Sequence, residues 1–423
     1  MEVRSTKYQA PTDHREQEHD AETMAPATTK RTSYFVLRTS PGVLALLLGW
    51  RLLTLLFAAV AARLGGLLPA PASFGELLLQ TLDHWDAGWY VAIARDGYTV
   101  GGNGQQANVA FYPLLPALIH LAHFVAPSWR LAGALVVHAA LLGAVLYLHA
   151  LVRLDYDQPT ALRAVGLLLI FPTAVFLTAI YTESLLLLTM TAAVYHARRG
   201  QWWAAGLWGL AAGLTKMVGG AVFVPLLWEY WRGRSWRGVS RRRLAGQLAA
   251  LALVPLGALA FLAYLQLRFG SYRVYFAAQT GWYRGSWFQP FFPDGWRFLT
   301  AFLHGRGSQV VNYFYPQGNV TLPSQGAFEL IDLLFLLVGV VVGVLLYLRV
   351  RASYGLFVLT VLGIAAWSGS TQSINRFALI LFPLPIAFAL AARRPLLGFA
   401  LLTLSGFLFI FFSYLFVNGY WAG

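Results

Sequence analysis

Runs of about twenty apolar residues recur along this chain, separated by short breaks that carry arginine, and about twenty residues is the length at which a helix crosses the hydrocarbon core of a bilayer. Val43 to Gly66 and Ala245 to Leu267 are such runs. Lipid offers no hydrogen bonds, so a spanning segment must satisfy its own backbone, and continuous apolar runs of this kind do so as helices. The chain is 58% hydrophobic and only 11% charged, too apolar for one water-soluble core. The expected fold is an all-α polytopic membrane protein, a bundle of about eleven transmembrane helices forming one domain over residues 43–423. Residues 1–42 differ: Glu2, Asp13, Glu16, Glu18, Asp20 and Glu22 mix with basic residues without apolar periodicity, which reads as a disordered cytoplasmic tail. Ala70-Pro71-Ala72 faintly resembles a signal-peptidase site, but the polar tail and the long first run fit a retained anchor better.

A net charge of +14 would suggest nucleic acid in a soluble protein. Here the arginines flank apolar runs, where they set orientation and meet anionic headgroups, so nucleic-acid binding is rejected. Lys30, Arg31 and Arg38 place the tail inside and the stretch after the first span outside. Trp231 to Arg243 holds Arg232, Arg234, Arg237, Arg241, Arg242 and Arg243 with no acid, which marks it as cytoplasmic, and Arg198-Arg199 reads the same way. Only Gln201 to Trp228 separates these basic loops, so both lie inside only if that stretch is a hairpin. Its turn falls near Thr215-Lys216, with Gly213, Gly219 and Gly220 permitting close packing. A single span would instead bury Lys216 at mid-membrane, costing roughly 2.5 to 3.5 kcal/mol.

The hairpin fixes the remaining parity. Phe111 to Val125 becomes an interfacial helix, residues 268–325 an outer loop, and Arg349, Arg351, Arg393 and Arg394 return inside, while Asp155 and Asp157 read as solvated in a cytoplasmic turn. Asp83, Asp86, Arg95, Glu183, Lys216 and Arg376 then all fall on the non-cytoplasmic face although they span most of the chain. Ionisable residues gathered at one side of a bundle imply a shared site.

The densest chemistry is Asp83-His84-Trp85-Asp86-Ala87-Gly88-Trp89-Tyr90. Two carboxylates three apart share one face of a short helix, where they supply a general base or hard oxygen ligands for a divalent ion. Trp85, Trp89 and Tyr90 offer flat faces that stack on sugar rings, although aromatic residues also belt membrane interfaces without function.

This motif, with Ile93-Ala94, Gly97-Tyr98 and Phe111-Tyr112-Pro113-Leu114-Leu115-Pro116, resembles the PIG-V-like family, the second mannosyltransferase of glycosylphosphatidylinositol synthesis and its prokaryotic relatives. Tyr181-Thr182-Glu183-Ser184, Leu214-Thr215-Lys216, Asn375-Arg376-Phe377 and Phe382-Pro383 follow in the family's order, so the resemblance covers about residues 45 to 420. It departs at His84, where a more basic or apolar lead-in is usual, and at Lys216-Met217, where prokaryotic relatives often carry arginine-proline. The resemblance implies a GT-C-type bundle with a catalytic first extracytoplasmic loop. It also implies a polyprenyl- or dolichyl-phosphate-linked mannose donor and a lipid or glycan acceptor. Such a donor brings its own leaving phosphate, which needs nearby cations and no nucleotide-binding loop. Lys216 and Arg376 are the candidates for that phosphate. Asp86 is the candidate base, with Asp83 beside it, and Trp85, Trp89, Tyr90, Tyr112 and Glu183 complete the expected substrate contacts. One base opposite a departing phosphate predicts inversion. No cofactor is required, and a divalent ion is admissible but not demanded.

Other features carry less. His120 and His123 share a helix face without acids to complete a metal site. Tyr272, Tyr275, Trp282, Tyr283, Trp287, Phe288, Phe291, Phe292, Trp296, Tyr313 and Tyr315 crowd the outer loop, which also holds an Asn319-Val320-Thr321 sequon. The competing function is a transporter or flippase for a lipid-linked sugar, which predicts an internal repeat that the sequence does not show. The arginine-rich, Leu-, Ala- and Gly-rich composition favours a bacterial plasma membrane over the endoplasmic reticulum.

Overall fold

The computed structural model describes residues 41–64, 71–101, 106–233, 236–280, 325–367, 373–420 and 422. Among them every regular element is helical. The acidic tail, the aromatic residues from Trp282 to Tyr315 and the sequon lie outside the described residues.

Helix α1 (Pro41–Ala61) carries a single charge, Arg51, and leaves Leu48, Leu52, Leu53 and Leu56 exposed, a surface that needs lipid and not water. Short α2 (Phe74–Gln80) begins where the Ser73 side chain accepts the Glu76 N–H. It leads through a turn into α3 (Asp86–Asp96). A 3-10 turn at Asn108–Ala110 precedes α4 (Leu114–His123). At about 1.5 Å per residue, α4 is too short to cross a bilayer, and Leu121, Phe124 and Val125 at its end are exposed. Its shortness agrees with the expectation that this stretch, with prolines at 113 and 116, does not span.

The long α5 (Trp129–Val152) is capped by Ser128, and α6 (Gln158–Leu169) by Asp157. After a 3-10 turn at Ala174–Leu177, α7 (Glu183–Arg198), α8 (Trp202–Thr215) and α9 (Phe223–Arg232) follow. Helix α10 (Arg241–Phe269) starts on a Ser240 cap and stops at Gly270, whose φ of 76° only glycine adopts without strain. Then come α11 (Arg273–Thr280), α12 (Gln325–Arg349), α13 (Ala352–Trp367), α14 (Ile374–Leu379), α15 (Pro383–Ala391) and α16 (Pro395–Val417). Helices α1, α5, α10, α16 and residues Leu330–Arg349 of α12 are long and apolar enough to cross a membrane. The chain is an integral membrane protein.

The hairpin is decided by contacts at one end of the bundle. Arg198, closing α7, holds Asp155 at 2.6 Å and the Tyr354 hydroxyl at 3.0 Å. Glu229, near the end of α9, takes both Arg351 Nε and Nη2 at 2.6 Å. Tyr354 and Arg351 belong to the same turn into α13, so the ends of α7 and α9 are together. Trp202 and Tyr230 confirm it with ring centroids 5.0 Å apart. The chain therefore rises through α8, turns at Lys216 in extended backbone (φ −163°, ψ 148°), and returns through a 3-10 turn (Met217–Val222) and α9.

The glycines divide their work differently from the sequence reading. A Cβ on Gly219 would lie 2.0 Å from Ala212 O, so this glycine joins the two limbs. Gly213 instead lets α8 meet α10 at Val254 and Ala258, while Gly220 faces open space. Asp155 and Asp157 are also more engaged than expected: Asp155 pairs with Arg198, and Asp157 caps α6 and reaches toward Arg393. Their carboxylates tie loops of one end together.

A cysteine placed at Lys216 in this cysteine-free chain should react in intact cells with an impermeant thiol reagent, whereas one at Arg237 should react only after permeabilisation. Reaction at both positions only after permeabilisation would remove the hairpin and the parity built on it.

Candidate active site

The opposite end of the bundle gathers Asp86, Glu183, Lys216 and Arg376. Arg376 lies on α14, is 6% exposed, and divides its fork between two acids. Its Nε and Nη2 donate to Glu183 Oε1 at 3.0 and 2.7 Å, and its Nη1 donates to Asp86 Oδ2 at 3.1 Å. The rings of Phe176 and Tyr181 approach the guanidinium at 4.9 and 4.7 Å, adding cation–π attraction in a desolvated place. Lys216, at the hairpin tip, is half-buried with Nζ 4.9 Å from the Phe377 ring centroid, and it lies within electrostatic reach of Glu183. The four charges sum to zero, which is how a cluster of ionised groups is kept in a low-dielectric setting.

Each member is delivered by a distinct local device. Glu183 opens α7, where a carboxylate suits the positive end of the helix dipole. Asp86 opens α3 in the same way. The residue before it, Trp85, has φ 51° and ψ −109°, a conformation that a bulky side chain adopts only when its surroundings impose it. Tyr181 imposes it: its hydroxyl donates to His84 O at 2.9 Å and accepts the Asp86 N–H at 3.1 Å. The phenol thus straddles the strained residue.

That turn overturns the expected pairing of Asp83 with Asp86. Asp83 precedes the helix instead of sharing its face, and it pairs with Arg130 at the start of α5. The two carboxylates serve different arginines on different helices. Among the described residues no group of three or more His, Cys, Asp or Glu is arranged to hold a metal ion. His120 Nδ1 lies 2.8 Å from Ala94 O, and His123 stacks on Trp129 at 3.8 Å.

The aromatic candidates separate. Trp85 is 46% exposed beside Asp86. Trp89 stacks on Phe111 at 5.9 Å, and buried Tyr90 meets the same ring edge-on at 5.1 Å. Burial, reinforced by Asp86 and Glu183, pushes the Tyr90 phenol up, so it stays a neutral hydroxyl. Tyr112 lies in a separate cluster with Phe261 and Tyr275, at 4.7 and 5.6 Å, with Met217 at its edge. Arg95 is turned outward and paired with its neighbour Asp96 at 2.7 Å, so it is not part of the group.

Residues 68–269 match the family model described as Mannosyltransferase (PIG-V). That stretch contains Asp83, Asp86, Tyr112, Glu183 and Lys216. The GPI alpha-1,6-mannosyltransferase 2 of Mus musculus is 36% identical over 153 residues, covering 33% of this chain and 30% of the mouse protein. Its Rattus norvegicus counterpart is 35% identical over 153 residues with the same coverage. The matched part thus spans about a third of the length of these relatives. Among solved structures, ArnT from Cupriavidus metallidurans bound to undecaprenyl phosphate is similar with a TM-score of 0.47 and 16% identity, over 84% of this chain and 62% of that one. The apo oligosaccharyltransferase of Archaeoglobus fulgidus gives 0.42 and 16%, over 88% and 56%.

Sequence reasoning quoted Tyr181 only as a neighbour of Glu183. An aromatic hydroxyl two residues before an acid in an apolar stretch is the available signal. Tyr181→Phe removes the bond to both sides of Trp85 and leaves buried groups unmet, worth about 1 to 3 kcal/mol. If that brace is needed to aim Asp86, turnover should fall about tenfold or more at near-normal expression, as read by kcat of purified protein against wild type.

Proposed function

We propose that this chain transfers a hexose, mannose by its family, from a polyprenyl- or dolichyl-phosphate carrier to a lipid or glycan acceptor at the non-cytoplasmic face, with inversion. The observation that carries the proposal is the convergence of Asp86, Glu183, Arg376 and Lys216 at the end of the bundle opposite the basic loops. The mouse and rat relatives are named for mannosyl transfer, which supports the donor sugar. Composition favours a bacterial plasma membrane as the setting.

In this reading the acceptor hydroxyl gives its proton to Asp86 as its oxygen bonds to the anomeric carbon. The bond from that carbon to the phosphate oxygen breaks, and its electron pair stays on the phosphate. Lys216 meets the growing phosphate charge as a point cation. Arg376 is already committed to two carboxylates, so its first task is to hold Asp86 in register with Glu183. As Asp86 takes the proton, its claim on Arg376 weakens, and Nη1 becomes available to the departing phosphate. Exposed Trp85 provides a flat face beside Asp86 for a sugar ring.

Purified protein in nanodiscs, offered mannosyl-, glucosyl- and arabinosyl-phosphopolyprenols with extracted membrane lipids, should release polyprenyl phosphate and form a glycosylated product, read by mass spectrometry. Movement of the carrier across the bilayer without product would favour the flippase instead. Asp86→Asn should lower kcat by about 10²- to 10⁴-fold, the range of a general base, with donor binding retained. Asp83→Asn should cost much less, since Asp83 serves Arg130.

The two cations should separate kinetically. Lys216→Gln is expected to raise the donor KM, whereas Arg376→Gln should lower kcat and leave donor KM closer to wild type. Equal, purely KM effects in both variants would return Arg376 to the role of a simple phosphate ligand.

A further inference from the structure

An acid sits inside one of the most apolar helices of the chain. Asp332 on α12 is 4% exposed, and an ionisable side chain within a membrane-spanning run is too costly to be incidental. Its two oxygens are turned to the backbone of another element. Oδ2 accepts the Ser373 N–H at 3.1 Å, and Oδ1 accepts the Asn375 N–H at 2.8 Å. Those N–H groups are at the start of α14, where orphan donors and the helix dipole favour a carboxylate. Thr173 holds the other side of the same residue, donating from Oγ1 to Asn375 O at 3.1 Å.

Ser373 has φ 68°, in the left-handed region that L side chains avoid. Among the described residues only Trp85 and Ser373 are non-glycine residues with positive φ. Trp85 directly precedes Asp86, and Ser373 comes three residues before Arg376, the partner of Asp86. Tyr181 braces the first strained turn, and Asp332 straddles the second in the same manner, bonding on Ser373 itself and two residues beyond.

We infer that Asp332 is a positioning residue for the transfer reaction: it holds the strained entry to α14 and so aims Arg376 at Asp86 and Glu183. It touches neither the acid–base group nor the substrate. The kinetic part of this inference rests on the proposed sugar transfer, while the geometric part stands apart from it. Removing both hydrogen bonds lets Ser373 relax and swings the Arg376 stem, and a misplacement on the order of 1 Å costs about 10²-fold in rate.

The test compares wild type, Asp332→Asn and Asp332→Ala in nanodiscs. Phenylglyoxal followed by peptide mass spectrometry reads Arg376 without any activity: the guanidinium should be protected in wild type and modified severalfold faster in Asp332→Ala. Asp332→Asn keeps one acceptor oxygen, guards against a variant that does not fold, and should fall between. In the transfer assay, Asp332→Ala should lower kcat about 10²-fold with little change in donor KM. Added to Arg376→Gln it should cost nothing more, because a residue that acts only through Arg376 has nothing left to position. Unchanged protection of Arg376 in Asp332→Ala, or a full further loss in the double variant, overturns the inference. Failure of the wild type to transfer sugar would instead overturn the proposed function, and the labelling comparison would still decide the role of Asp332.

Discussion

One end of this bundle is organised around one buried guanidinium. Arg376 reaches Asp86 at the start of α3 and Glu183 at the start of α7, joining segments separated by 290 and 193 residues of chain. A charge in that position is tolerable only because its partners are charged too, and neither carboxylate could stay there without it. Such a cluster adds little net stability, since desolvation opposes attraction. What it adds is a fixed arrangement: the helices that carry the three side chains have few other ways to satisfy them.

The backbone on both sides of that contact is strained, and the two braces are of the same kind. Tyr181 uses one hydroxyl and Asp332 uses two carboxylate oxygens, each bonding backbone groups around a residue with positive φ. Strain of this sort persists only when the surroundings over-determine it. The side chains that meet across the site are thus held from behind by groups that take no part in the meeting.

Much of this arrangement was legible in the sequence, because arginine distribution is a physical record of orientation. Two acid-free basic stretches require the hairpin at Lys216, and the hairpin alone puts Asp86, Glu183, Lys216 and Arg376 on one face. Spacing was a poorer guide. Asp83 and Asp86 were read as neighbours on a helix, but the turn at Trp85 starts the helix after Asp83, and no periodicity encodes a φ of 51°. Tyr112, taken from a motif, packs with Phe261 and Tyr275, which come from distant chain. In the sequence Asp332 shows only as an acid in an apolar run, because what it caps begins 41 residues later.

The hairpin has a mechanical consequence for the bilayer. Its outward limb, α8, has 14 residues, about 21 Å at 1.5 Å per residue, against a hydrocarbon core of about 30 Å. A limb that short ends below the headgroup plane unless the membrane thins around it. On the proposed sugar transfer, Lys216 would sit in a dimple of the leaflet, where the phosphate of a lipid-linked donor could meet the charged cluster without its hydrocarbon tail leaving the membrane.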